Sequence, residues 1–490
     1  MKNRMPVGVL TALALAMPAV AASATQDDEL DDLRRMIVEM RIDYEKKIRE
    51  LETRLAQAET AAQAQPGAPA QESAQASAAA AEPRATVTAG NAFNPQISVI
   101  LNGNYYHDGI RGEGSDLVAE AAQPSHPSHD HGGEGHSHGS MSNGFNLSEV
   151  ELAFSATIDP YFDAAAYMAI TGEGEFELEE AYLQTRSLPY GLKLKAGKFL
   201  SDFGYINRQH PHQWDFANQN LPYLNLLGDH GLQDVGVQLN WLPQWPVYTL
   251  FGVEALQGDQ ERFGALVEDE EELEETGLDR PKSGPRLWTA YVKVSPDLGY
   301  SHALQLGASY AQARQHQEIH DHDHDHDHED HEEHLEEGLD GDAELWGFDA
   351  VYKYDSGRAY GHGDLKLQAE YLRSVKDLTV RSGEPDEIGG REKFTTDGLY
   401  VQGLYGIFPR WQVGLRYDTL GLTNEVSGGD EFDSSDRWTV ALSWVPTEFS
   451  LLRLQFERAD IALEEGGSES FNTFWLQFLV SMGAHGAHKF

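Results

Sequence analysis

Histidine stands out by position more than by number. Thirteen of the twenty-one histidines fall in two short segments. The first holds His126, His129, His131, His136 and His138 among Gly, Ser and Pro. The second, residues 316–342, holds His316, His320, His322, His324, His326, His328, His331 and His334 with thirteen acidic residues and no Lys or Arg. At its centre the two residue types alternate, so Asp321, Asp323, Asp325 and Asp327 each lie between two imidazoles. Neutral imidazole is a good ligand for Zn, Cu and Ni, and neighbouring carboxylates raise both the local cation concentration and the ring's basicity. Such tracts form many overlapping, exchangeable sites rather than one tetrahedral centre. They predict multivalent capture of a divalent transition metal, Zn²⁺ first, as ligand or transported ion, with no cofactor required. Asp321, Asp323 and Asp325 have calcium-loop spacing, but the sixth position is His326 rather than Gly, which argues against an EF-hand.

Two further segments carry charge or metal-binding types. Residues 257–284 include the run Glu268-Asp-Glu-Glu-Glu-Leu-Glu-Glu275, an acidic patch that attracts cations most strongly at low salt. Residues 200–235 are aromatic, Asn-rich and nearly uncharged, which reads as an ordered loop. His210, His212, Asp215, Asp229 and His230 lie on it, and serve either to pass a metal inward or as hydrogen-bonded structural residues. Catalysis is not indicated, since no Walker A, G-x-G-x-x-G, G-x-S-x-G or H-E-x-x-H motif is present. With no cysteine there is no disulfide framework, thiolate zinc site or thiol nucleophile. A net charge of −44, from 80 acidic against 36 basic side chains, excludes a nucleic-acid surface.

The elements that must carry these loops follow from hydropathy. Residues 1–24 read as a signal peptide, with Lys2 and Arg4 before an apolar run that ends in small residues. Leu30, Leu33, Ile37, Met40, Tyr44, Ile48, Leu51 and Leu55 trace a heptad seam with one stutter, so residues 27–60 are expected to form a coiled-coil stalk. Residues 61–92 are an Ala/Gln/Pro-rich linker. From 93 to 490 the period is two: Trp438, Val440, Leu442 and Trp444, for example, alternate with Thr439, Ala441 and Ser443. Sixteen strands are predicted, near 95–106, 146–158, 163–172, 175–186, 190–199, 236–242, 247–256, 285–295, 301–314, 345–354, 364–375, 397–407, 411–419, 436–445, 448–459 and 471–484. Short turns alternate with long loops, the plan of a closed antiparallel barrel in an outer membrane. The fold expected is all-β: a 16-stranded antiparallel transmembrane β-barrel with an N-terminal α-helical coiled coil.

Several runs carry a resemblance: Asp159-Pro-Tyr-Phe, Glu179-Glu-Ala-Tyr-Leu-Gln-Thr, Gly191-Leu-Lys-Leu-Lys-Ala-Gly-Lys-Phe, and Phe203-Gly-Tyr-Ile-Asn-Arg-Gln-His-Pro-His-Gln-Trp-Asp-Phe. On these, residues 93–490 resemble the phosphate-selective porin O and P superfamily, closest to a branch called zinc-regulated outer-membrane receptors. The resemblance implies a homotrimeric, water-filled channel in the lipid of a Gram-negative outer membrane, with the loop at 200–235 folded into each barrel as a constriction. An energy-coupled receptor is not implied, because residues 27–92 are too short to plug the larger barrel it would need. The stalk would lie in the periplasm, clamping the trimer or reaching peptidoglycan or a periplasmic partner.

Selectivity stays open at this level. The inward rows carry Lys193, Lys195, Lys293, Lys353, Lys366, Arg416 and Arg453 beside Glu149, Glu151, Asp349 and Glu370. Basic rings favour anions, while mixed rows simply keep a pore wet. The main expectation is a porin whose outer loops capture zinc for diffusion into the periplasm. An anion- or phosphate-selective porin is the second reading, and a soluble exported metal-binding protein the third.

Overall fold

The computed structural model describes residues 95–124, 141–172, 174–320, 337–383, 385, 387–430, 432–464 and 466–483. The segments read as signal peptide, coiled coil and linker lie outside these residues. Sixteen long strands follow one another: β1 Gln96–Asp108, β2 Gly144–Thr157, β3 Phe162–Thr171, β4 Phe176–Thr185, β5 Leu192–Leu200, β6 Gln233–Trp241, β7 Tyr248–Leu256 and β8 Leu287–Ser295 form the first half. The second half comprises β9 His302–His320, β10 Glu337–Tyr354, β11 Leu365–Val380, β12 Arg391–Phe408, β13 Trp411–Val426, β14 Ser435–Thr447, β15 Ser450–Ala462 and β16 Ser468–Gly483. Each pairs antiparallel with the next, and β1 pairs with β16 from Ser98↔Gly483 to Asp108↔Thr473. The sheet is therefore closed, with no edge left open. A two-residue strand, Gly429–Asp430, only extends the β13 hairpin.

The side chains explain why the sheet closes in this sense. Along β15, Leu452, Leu454 and Phe456 are exposed while Arg453, Gln455 and Glu457 are buried. The outward rows of other strands are likewise apolar, among them Val237, Val253, Phe348, Leu367, Val401 and Val440. That inverts the pattern of a soluble domain, and it satisfies a wall with lipid outside and polar groups inside. The soluble exported reading does not fit this inversion. No helix among the described residues is long and apolar enough to cross a membrane.

The seven connections at one end are short. Asp159 closes one of them by accepting hydrogen bonds from the N–H groups of Tyr161 and Phe162, at 2.8 and 2.9 Å. The long connections gather at the other end, which faces outside in barrels of this kind. There the structure departs from the sequence reading: β9 to β13 run five to eight residues further outward than the alternation suggests. Beyond the bilayer both faces tolerate polar side chains, so hydropathy stops marking a strand whose hydrogen-bond ladder continues. The acidic run at 257–284 carries a helix that the sequence reading did not place. This short helix, α3 (Glu270–Glu275), is capped by Asp269 and held by Leu273 and Leu278 against Ile319. Two other short helices, α1 (Gly114–Ala119) and α2 (Leu221–Leu227), belong to the connections after β1 and β5.

Candidate functional site: a loop across the barrel

The connection from β5 to β6, residues 201–232, turns into the barrel. Asn207 ties its neck, donating to the carbonyls of Ser201 and Leu232 at 2.9 Å each. Its apolar side chains, including Phe203, Ile206, Leu221, Tyr223 and Leu227, pack against inward residues such as Leu287, Leu345, Leu372 and Tyr400. The loop therefore fills the side of the lumen walled by the later strands.

Polar side chains from those strands fasten it. Glu370 on β11 accepts the backbone N–H groups of Tyr205 and Ile206, at 2.7 and 3.0 Å, and the Tyr223 hydroxyl at 2.9 Å. Tyr400 donates to the same carboxylate. Lys366 pairs with Asp215 at 2.5 Å, and Gln402 donates to that carboxylate at 2.7 Å. Arg416 donates to the carbonyl of Asn218 at 2.9 Å, and Arg437 to that of Gln219 at 2.5 Å. Arg453 reaches the Trp214 carbonyl at 3.1 Å. Arg416 and Arg437 also share Asp418, at 3.0 and 2.7 Å. Among the basic residues read as pore lining, Lys366, Arg416 and Arg453 thus hold the loop to the wall. Lys293 is buried with its ammonium 5.3 Å from the Tyr291 ring centre, and Lys195 lies about 5 Å from the rings of Tyr182 and Phe199. Lys193 and Lys353 sit on the inward rows of β5 and β10, less buried than Lys293.

On the opposite side of the loop, toward β1–β4, a cavity of about 170 Å³ remains. Its charged lining is Glu149, Glu177, Glu179, Asp229 and Glu457, with Arg437 and His230. Next to it, on either side of the lining residue Pro211, His210 and His212 meet carboxylates from two strands. Nε2 of His210 lies 2.9 Å from Glu180, and its Nδ1 lies 3.5 Å from Glu151 and 3.4 Å from Glu179. Nδ1 of His212 is 3.1 Å from Glu151. Burial opposes a charge on the His210 imidazole, yet its contacts with Glu179 and Glu180 and the charge of Glu151 raise its pKa well above the usual value. Its ring stacks on Tyr167 at 4.9 Å.

Glu179 and Glu180 are sequence neighbours, so a regular strand would aim one of them at lipid. The register prevents this. Tyr167 on β3 pairs with Glu180, but Met168 pairs with Leu178, so β4 carries an extra residue. A bulge of this kind re-aims a side chain. Leu178 and Leu183 both stay outward while Glu179 and Glu180 are each 7% exposed on the inside. The sequence contains the two glutamates, but only the pairing shows that both face the lumen. An odd spacing of five between the outward leucines was the available signal.

The remaining candidates scatter. Asp215 lies on the Lys366 side, away from His210. His230 is 3.7 Å from Glu177, and the backbone N–H of Asp229 donates to Glu261 at 3.1 Å. His316 and His320, at the base of the second tract, both contact Glu318, at 2.6 and 3.0 Å, and Lys376 shares that carboxylate at 2.5 Å. They are part of the outer rim of β9. His126, His129, His131, His136, His138, His322, His324, His326, His328, His331 and His334, with Asp321, Asp323, Asp325 and Asp327, lie outside the described residues.

Residues 154–462 match the family described as phosphate-selective porin O and P. A curated relative from Aquifex aeolicus (strain VF5), described as an uncharacterized protein, is 35% identical over 410 residues, 81% of this chain and 80% of that one. Among solved structures, the outer membrane channel DcaP of Acinetobacter baumannii superposes with a TM-score of 0.49 at 12% identity, over 79% of this chain and 97% of that one. An anion-selective porin from Comamonas acidovorans gives 0.44 at 11% identity, over 79% and 99%. The family match and the closed, outward-apolar barrel agree: this chain belongs to the phosphate-selective porin O and P family, an outer-membrane channel of Gram-negative type and not an enzyme.

Proposed function

We propose that the channel's narrow passage prefers cations and that its His/Asp-rich outer loops concentrate a divalent transition metal, zinc first, for diffusion down its gradient into the periplasm. One observation carries the cation preference. Lys366, Arg416 and Arg453 are engaged in pinning the loop, whereas five carboxylates and one guanidinium surround the remaining cavity. That guanidinium, Arg437, is itself paired with Asp418 and lies 4.0 Å from Glu457, one of the five carboxylates, so four remain to face the cavity. Acidic linings lower the energy of a cation and raise that of an anion in a narrow, low-dielectric passage. The capture step rests on the composition of the two histidine tracts. Removing residues 321–336 leaves the paired parts of β9 and β10 intact. Cells carrying that deletion are expected to take up less zinc when the metal is scarce and the same amount when it is plentiful. Equal uptake under scarcity would remove the capture role.

The family description favours a second reading over metal capture: a channel for phosphate or other anions, with the histidines buffering the mouth. Lys193, Lys195, Lys293 and Lys353 on the inward rows suit that reading. Ion selectivity separates the two. We further propose a homotrimer, with the stalk of residues 27–60 in the periplasm, clamping the trimer or contacting peptidoglycan or a periplasmic partner.

A further inference from the structure

We propose that His210, Glu151 and Glu179 form a divalent transition-metal site inside the passage, joining the inward loop to β2 and β4. This inference goes beyond ion preference and beyond the outer tracts, which lie elsewhere in the chain. Three ligand atoms, one from each residue, lie within 4.8 Å of one another, and all three residues are buried. Nδ1 of His210 is 3.5 Å from Oε2 of Glu151 and 3.4 Å from Oε2 of Glu179. Those separations exceed the usual ~2.7–3.2 Å of an N–H···O hydrogen bond. They match the ~3.3–3.6 Å between ligand atoms of a tetrahedral zinc ion with bonds of ~2.0–2.2 Å.

The surroundings reinforce the point. Nε2 of His210 sits 2.9 Å from Glu180, the carboxylate–histidine arrangement that orients a ligating ring and raises its basicity. Among the described residues, Glu179 Oε2 and Glu149 Oε1 are buried with no hydrogen-bond donor in bonding geometry, on side chains 7% and 8% exposed. Buried acceptors of this kind are costly unless a cation joins them, a part that the His210 imidazolium, 3.4 Å from Glu179 Oε2, or a metal ion in its place can fill. The ion pairs of Glu179 and Glu180 run to His210, not to Lys or Arg. One imidazole and two carboxylates leave a fourth ligand to be supplied, and Nδ1 of His212 lies beside them, 3.1 Å from Glu151. The imidazole selects a transition metal over calcium or magnesium. An ion here clamps the loop on the side that the anchors from β11 to β15 do not reach.

The test uses the full chain in detergent, with the eleven tract histidines outside the described residues replaced by Asn and His320 by Gln, so that neither the tracts nor the His316–Glu318–His320 cluster of the outer rim competes. Heat-modifiable gel mobility reports the folded barrel. Titration with Co²⁺ is expected to show one saturable equivalent per chain, with the visible absorption of an imidazole–carboxylate cobalt site, displaced by Zn²⁺. Glu179→Gln and His210→Gln are each expected to weaken binding by about 10-fold or more, as is usual when a metal site loses a directing or ligating group. Glu179→Gln is nearly isosteric and keeps the test open if His210→Gln does not fold. No saturable equivalent, or unchanged affinity in the folded variants, overturns the site. Because binding needs no current, an anion-selective channel that still takes up one cobalt would retain the site and overturn only the cation preference.

Discussion

Four donors converge on the carboxylate of Glu370: the N–H groups of Tyr205 and Ile206 and the hydroxyls of Tyr223 and Tyr400. Losing a buried acceptor leaves each donor unsatisfied at about 1–3 kcal/mol. Glu370→Ala is therefore expected to release the start of the loop while the barrel, held by its ladder, stays folded. Single-channel conductance should rise and open-channel noise increase; unchanged conductance would mean that the apolar packing of Phe203 and Leu221 holds the loop alone. Gly204→Ala tests the same contact from the other partner. Gly204 has φ +60°, and a Cβ there would lie 2.1 Å from the Tyr223 hydroxyl and 2.6 Å from Glu370 Oε2. The methyl cannot fit without breaking the cluster, so the variant should share the conductance phenotype.

The strands are the most legible elements, and the reason is physical. Lipid outside and polar groups inside impose a strict alternation, so all sixteen strands are readable from residue types such as the Leu452-Arg453-Leu454-Gln455-Phe456 row. The same alternation makes β15 asymmetric toward substitution. Leu454→Lys puts a charge on the lipid face and is expected to cost about 2–4 kcal/mol if it lies near the midplane. Gln455→Lys, on the inward face, should cost far less. Denaturant titration followed by heat-modifiable mobility compares the two, and equal losses would contradict the assigned faces. Two features were harder to read. The β4 bulge is a matter of register, and Glu179-Glu180 as text places one side chain in lipid. The loop anchors join residues such as Asn218 and Glu457, 239 positions apart, which no local pattern connects. For that reason Arg416 and Arg453 read as pore lining although the structure shows them holding the loop.

At the scale of the molecule, the loop packs against one side of the lumen, where Arg416 and Arg437 share Asp418, and leaves a cavity lined by five carboxylates with Arg437 and His230. The acidic run at 268–275, on one of the long connections, carries the same sign, and the whole chain has a net charge of −44. Long-range attraction of cations should therefore weaken as salt rises, because exposed charges are screened over about 10 Å at 0.1 M. The most direct test of the account is the reversal potential of the purified channel in a planar bilayer under a potassium chloride gradient, without added metal. The account predicts a potential of the sign set by potassium, reduced when Glu149, Glu177 and Glu179 are replaced together by Gln. A potential of the sign set by chloride, unaffected by that replacement, would contradict it and leave the phosphate or anion channel in its place.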